Sequence, residues 1–189
     1  MTRIVAFAIV AVFMLAERAL RRDTASRTTE TTAEDQGTTR LIGFVYGLAL
    51  NAGMLSPVLS RWKAAQLRPS WLSAGGLVLM VAGLALRIWS AVTLGRFYTR
   101  TLRTASDQPL VQTGPYAVVR HPGYLADLVM WLGVGLCSGT WIVAVTVALV
   151  MAFAYARRIA AEEAMLRRHL GRAYDVYCGR TPRLLPGIF

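Results

Sequence analysis

Long apolar stretches alternate with short polar gaps along this chain. Ile4 to Leu20 is apolar until Glu17 and Arg18, and it runs into "RRDTASRTTETTAEDQGTTR", residues 21–40. The first has roughly the ~20 residues that a membrane span requires, and the second is too rich in Thr and charge to bury anything. A cleaved signal peptide is the rival reading, but "ERALRRD" puts charge where a small-residue cleavage site would be needed, so a retained span is expected. Leu41 to Ser60 is a second apolar run and Trp71 to Leu94 a third, with Trp62 and Trp71 placed as interfacial aromatics. From Leu125 the chain stays apolar to Tyr155, too far for one untilted span, and "CSGT" at Cys137 to Thr140 interrupts it. That pattern predicts a helical hairpin. Each arm carries only ~12 to 15 apolar residues, so the pair must tilt, thin the bilayer or borrow length from the amphipathic continuation after Tyr155.

The expected fold is therefore an all-α integral membrane protein in one domain, 1–189, with about five spans at 4–20, 41–60, 71–94, 125–137 and 141–156. Composition agrees: 55% of residues are hydrophobic and 16% charged, too oily for a soluble domain of this length. The net charge of +11 lies in gaps between apolar runs, as suits anionic headgroups, and nucleic-acid binding is set aside on that distribution. Lys and Arg number four in 21–40, three in 60–70, four in 95–124 and seven after Tyr155. This bias puts the N-terminus outside and the three gaps at 21–40, 95–124 and 156–189 on the cytoplasmic side. Cys137 and Cys178 form no CxxC pair, so neither a disulfide framework nor a metal site is expected.

Residues with chemical potential gather on that side, in 95–124 and 156–186, and the hairpin brings the two groups together. Arg158 and Glu162 are four apart and share a helix face, with Glu163 turned about 100° away. "GPYAVVRHPGYLAD" reads at its plainest as a turn, with Pro122 in the first turn of a helix and Arg120 and Tyr124 at an interface. Arg87 lies inside the third apolar run and needs a partner or a water-filled cavity unless it snorkels, and Glu17, Asn51 and Asp127 are weaker hints of the same kind. Gly76 and Gly83 put small residues where helices, including those of a second copy, could approach closely.

The ordered set "LGRFYT", "LVQTGPYAVVRHPGYLAD" and "RIAAEEAMLRRHLGRAYDVYCGRTPRLLP" resembles the isoprenylcysteine carboxyl methyltransferase family, which is itself similar to membrane phospholipid methyltransferases. The likeness runs from about Gly83 to Pro186. Its pattern is G-x-Y-x-x-x-R-H-P-x-Y, an apolar hairpin, R-x-x-x-E-E-x-x-L, then G-x-x-Y-x-x-Y and a terminal Leu-Pro. The resemblance implies an S-adenosylmethionine-dependent membrane enzyme with the cofactor enclosed by the cytoplasmic ends of the last helices. By matching position it assigns Gln108, Pro109, Leu110, Val111, Tyr116, His121, Pro122, Gly123, Tyr124 and Glu162 to the cofactor. Arg158 it assigns to the methyl-accepting substrate, and Arg158 and Glu162 together to catalysis. Two departures stand out: Gln108 and Pro109 occupy a place where the family commonly has His, and Ala126 with Asp127 replaces Gly in Y-x-G.

The chain has no GxGxG turn for a soluble nucleotide-binding domain, so a membrane-embedded site must supply the contacts. A carboxylate such as Glu162 can take an ammonium, aromatic faces such as Tyr116 or Tyr124 a cation or ring, and His121 a polar end. An acceptor carboxylate is already ionised at neutral pH and needs no base, only an orienting group such as Arg158. The expected reaction is O-methylation of a carboxylate on an amphiphilic or lipid-like substrate entering from the bilayer. Phospholipid or small-amine N-methylation, which would need a base such as His121, His169 or Glu163, is the alternative. A non-catalytic membrane protein whose loops anchor headgroups is the alternative of another class.

Overall fold

Gly and Pro punctuate the chain into helices. The computed structural model describes residues 1–20, 33–67, 69–99, 102 and 109–185. Among these, α1 is Thr2–Leu20, α2 Thr38–Leu59, α3 Ser70–Leu94, α4 Pro122–Cys137, α5 Trp141–Leu170 and α6 Arg172–Arg180, with short 3-10 turns at Ala33–Asp35, Lys63–Ala65, Gly95–Phe97 and Gly114–Ala117. The described residues are all-helical in architecture, as the apolar runs predict.

Lengths refine the expected five spans. Helices α2, α3 and α5, of 22, 25 and 30 residues, are long and apolar enough to cross a membrane. Helix α4 has 16 residues, about 24 Å at 1.5 Å per residue, and falls short of a ~30 Å hydrocarbon core. Helix α1 has 19 residues but carries Arg3, Glu17 and Arg18. The hairpin turns at Ser138–Thr140, where Thr140 caps α5 by accepting from Val143 N–H at 3.3 Å. Its second arm does not stop at residue 156. The run "RRIAAEEAMLRRHL" is made of good helix formers, and only Gly171, at φ 53°, ends the helix.

Packing inside lipid depends on close fit rather than on expulsion of water. Helices α3 and α4 meet through glycine: a Cβ at Gly76 would lie 2.8 Å from Gly133 O, and one at Gly83 2.7 Å from Ala126 O. Gly76 and Gly83 thus mark the close helix approach that the sequence suggests, and the helix that approaches them is α4 of the same chain. Met80, Met130, Trp131, Val147 and Met151 fill the core around this crossing. Large apolar side chains such as Phe44, Met54, Val78 and Leu149 stay exposed on the outer faces, where a bilayer would cover them. Gly76→Ala is expected to destabilise by about 1–3 kcal/mol through overpacking. Its neighbour Gly75, which has nothing within 4 Å of a Cβ, should tolerate alanine. Melting curves of the two variants in detergent check the contrast.

The two ends of the bundle differ. At one end Leu67 N–H donates to Gly139 O at 2.9 Å and Trp141 Nε1 to Ala64 O at 2.8 Å, closing the 60–70 connection onto the hairpin turn. At the other, 33–39, 95–99, 109–121 and 157–185 converge.

Candidate active site

His121 stands just before Pro122, whose fixed φ starts α4, so its side chain emerges at the mouth of a helix. The chain beyond α6 straps this loop: Arg120 N–H donates to Pro182 O at 2.8 Å and His121 N–H to Arg183 O at 3.2 Å. Tyr177 OH donates to Tyr116 O at 2.6 Å. The strap fixes the wall that carries Tyr116, His121 and Tyr124.

The facing wall comes from α5, and its paired glutamates separate in role. Glu163 is 1% exposed and gathers basic side chains: Arg183 at 2.9 Å, the His121 imidazole Nε2 at 3.3 Å, Arg120 at 3.5 Å and Arg167 at 3.8 Å. It fastens α5 to the loop and the strap. Glu162, about 100° round the helix, faces a cavity of about 690 Å³. Its Oε2 is buried, has no hydrogen-bond partner among the described residues, and lies 3.7 Å from His121 Nδ1. Two carboxylates thus bracket one imidazole, one committed to the scaffold and one turned to the cleft.

Pro109, Leu110, Val111, Tyr116, His121, Gly123, Tyr124, Arg158 and Glu162 all line this cavity. Pro122 is buried at the start of α4 behind it. Gln108 lies outside the described residues. Gly123 has a steric reason to be glycine, because a Cβ there would sit 2.8 Å from Arg87 NH1. Of the bases named for an amine acceptor, His169 is exposed outside the cleft and Glu163 is saturated with cations, which leaves His121.

Arg158 is held by groups that sequence reasoning missed. It donates to Asp35, to Thr38 Oγ1 at 2.8 Å, to Thr39 Oγ1 at 3.0 Å and, through Nε, to Tyr124 OH at 3.1 Å. Asp35 is fully buried, which corrects the expectation that 21–40 buries nothing. Burial raises its pKa, but hydrogen bonds from Thr39, the Arg158 charge and the Leu102 N–H outweigh this and hold it below the ordinary carboxylate value. The readable signal was Asp-x-x-Thr-Thr immediately before an apolar run, a helix-start pattern. On the opposite wall burial, followed by the Glu162 charge, pushes the Tyr116 phenol up, so it stays a neutral hydroxyl.

Deeper in the cleft the lone intramembrane charges find one another. Arg87 Nε contacts Glu17 Oε1 at 2.8 Å and Arg87 NH1 contacts Asp127 Oδ2 at 3.2 Å. Tyr98 donates to Glu17, and the Arg87 guanidinium lies over the Tyr98 ring at 5.2 Å. Asn51 does not join them; its amide returns to Gly47 O at 2.8 Å on an exposed face. Toward α1 and α2 the cleft is apolar, and its rim includes Met14 and Leu15, exposed by 36% and 67% on the outer face.

Helices able to span a bilayer, enclosing a part-polar, part-apolar cleft at one end, define an integral membrane protein with a site for an amphiphilic ligand. Residues 76–168 match the model of the isoprenylcysteine carboxyl methyltransferase (ICMT) family. The chain is 34% identical over 156 residues to a probable protein-S-isoprenylcysteine O-methyltransferase of Oryza sativa subsp. indica, covering 80% of this chain and 81% of the relative. It is 30% identical over 162 residues to the protein-S-isoprenylcysteine O-methyltransferase of Schizosaccharomyces pombe, covering 77% and 69%. The fold is shared with a solved eukaryotic intramembrane Ras methyltransferase, ICMT, at a TM-score of 0.69 and 22% identity over 100% of this chain and 68% of that one. The chain belongs to the isoprenylcysteine carboxyl methyltransferase family, and it is a membrane methyltransferase.

Proposed function

We propose that this single domain binds S-adenosylmethionine in the cleft and transfers its methyl group to a carboxylate on an amphiphile that enters from the bilayer. The observation that carries this reading is a complementary set of buried polar atoms around one cavity that have no partners among the described residues. Glu162 Oε2 is an acceptor, and Arg120 Nε and Tyr174 OH are donors, all on cleft-lining residues. The amino-acid end of the cofactor needs just this, an acceptor for its ammonium and donors for its carboxylate. His121 and Tyr124, stacked at 5.6 Å and 15°, offer flat faces between these atoms and Arg158, while Pro109, Leu110 and Val111 supply apolar cover.

When bound, the cofactor supplies an electrophilic methyl on a sulfonium, open to in-line displacement. The chain's task is then alignment, and a positioned pair of reactants can lower the barrier by about 7–11 kcal/mol. Arg158 suits the acceptor carboxylate because it stays protonated and its guanidinium is clamped from two sides. Asp35 offsets part of its charge, so the acceptor is oriented without being held too tightly in the ground state. The apolar rim at Phe13, Met14, Leu15 and Ile42 gives the acceptor's hydrocarbon part a path from lipid. The end bearing Arg158 and Glu162 is assigned to the cytoplasm, since the gaps richest in Lys and Arg lie there.

The test is transfer of labelled methyl from S-adenosylmethionine to a membrane extract by detergent-purified protein. A base-labile labelled ester is expected. A base-stable product would move the acceptor from carboxylate to amine, and no transfer together with no cofactor binding by calorimetry would overturn the reading.

A further inference from the structure

Arg158 reaches the cleft already paired. Its NH1 donates to the Asp35 carboxylate, with Thr38 Oγ1 at 2.8 Å and Thr39 Oγ1 at 3.0 Å beside it, and the side chains of both ions are buried. An acceptor carboxylate aimed at this guanidinium therefore meets a carboxylate of the chain's own. Asp35 is placed to give the arginine up without being stranded. Gln36 and Gly37, at φ 48° and 74°, turn the chain back so that Asp35 caps the first turn of α2. There Thr39 N–H donates to Oδ2 at 3.1 Å and the Thr39 hydroxyl to Oδ1 at 2.6 Å. Leu102 N–H adds a longer bond to Oδ1 at 3.4 Å. The start of α2 also carries a partial positive charge that favours an anion, so the Asp35 carboxylate keeps partners when Arg158 turns away.

We propose that Asp35 is a resident counter-ion that competes with the acceptor carboxylate for Arg158 and takes the arginine back once the acceptor is esterified. The proposal rests on the carboxyl-methylation reading and gives the site a way to tell acceptor from product. Methylation turns the acceptor's carboxylate into a neutral ester: one of its oxygens bonds the methyl carbon, and the pair from the broken C–S bond stays on sulfur as a thioether. The incoming carboxylate displaces Asp35 like for like, one charged hydrogen bond for another. The ester keeps only a neutral carbonyl, and a charge-assisted hydrogen bond is roughly twice as strong as a neutral one, so Asp35 then prevails at Arg158 and the product is released. A carboxylate that only positioned the arginine would act in the opposite sense. Removing it would loosen Arg158 and weaken acceptor binding.

The probes are N-acetyl-S-farnesylcysteine and its methyl ester, which differ in the charge that Arg158 would meet. Their affinities are measured by calorimetry on detergent-purified protein held with S-adenosylhomocysteine, so no turnover is needed. Wild type is expected to favour the carboxylate by no more than about tenfold, because Arg158 gains one carboxylate by losing another. Asp35→Asn keeps the shape of the side chain and removes its charge. The preference should then widen by about tenfold or more, carried by tighter binding of the carboxylate, the scale of one hydrogen bond to a charged group. A wild-type preference beyond about tenfold overturns the proposal even if the variant fails to fold, as does a preference that stays the same or narrows in Asp35→Asn. A widened preference without ester formation from S-adenosylmethionine supports the counter-ion and defeats the carboxyl-methylation reading. Ester formation with an unwidened preference does the reverse.

Discussion

Glu162→Ala is expected to weaken S-adenosylmethionine binding at least about 30-fold and to reduce methyl transfer in step, with the helical fold intact. Truncating one partner of a buried, charged hydrogen bond costs about 2 kcal/mol or more, and 1.4 kcal/mol is a factor of ten. The fold should survive because, among the described residues, Oε2 has no hydrogen-bond partner, and the ties that fasten α5 to the loop and the strap are made by Glu163. Glu163→Ala should behave differently. It leaves Arg120, His121 and Arg183 without their shared anion, so the strap loosens and thermal stability falls along with binding. Calorimetry for the cofactor and melting curves for both variants separate the two glutamates. Wild-type affinity in Glu162→Ala would remove the central contact of the proposed cofactor site.

What the sequence disclosed follows the range of the interactions concerned. The hairpin at Ser138–Thr140 was legible because Ser, Gly and Thr interrupt an otherwise unbroken apolar run, a local signal. Tyr116, His121, Tyr124 and Glu162 were legible as parts of an ordered motif, and the structure brings them around one cavity. That Glu162 faces the cleft while Glu163 faces the scaffold was only half visible. Helical spacing separates the two directions, but nothing in the spacing says which one points inward. Asp35 was hidden for a different reason: its partner Arg158 lies 123 residues away, and its surroundings read as a solvated polar loop. Glu17 and Arg87, 70 residues apart, could be suspected singly as charges in apolar runs, yet only the packing of α1 on α3 joins them. Gly76 and Gly83 announced a close helix crossing without saying that α4 was the partner.

The same buried charges set the second large expectation. Arg87→Met should abolish the stable fold or lower its melting point severely, because it strands Glu17 and Asp127 in a low-dielectric interior. Breaking a buried pair from one side costs about 3–5 kcal/mol, against a total stability of about 5–15 kcal/mol. Arg87→Lys should fall between, since a single ammonium lacks the fork by which Arg87 reaches Glu17 through Nε and Asp127 through NH1. The triple change Arg87→Met with Glu17→Gln and Asp127→Asn should recover much of the loss, because no unpaired ion then remains and the amides can still meet Tyr98 and Tyr155. Melting curves and size-exclusion profiles in detergent decide the order wild type, triple, lysine, methionine. If Arg87→Met melted like wild type, the two carboxylates would have to be neutral or hydrated in the folded protein. Recovery in the triple variant alone would instead show that charge balance, rather than the shape of the arginine, is what the bundle needs at this depth.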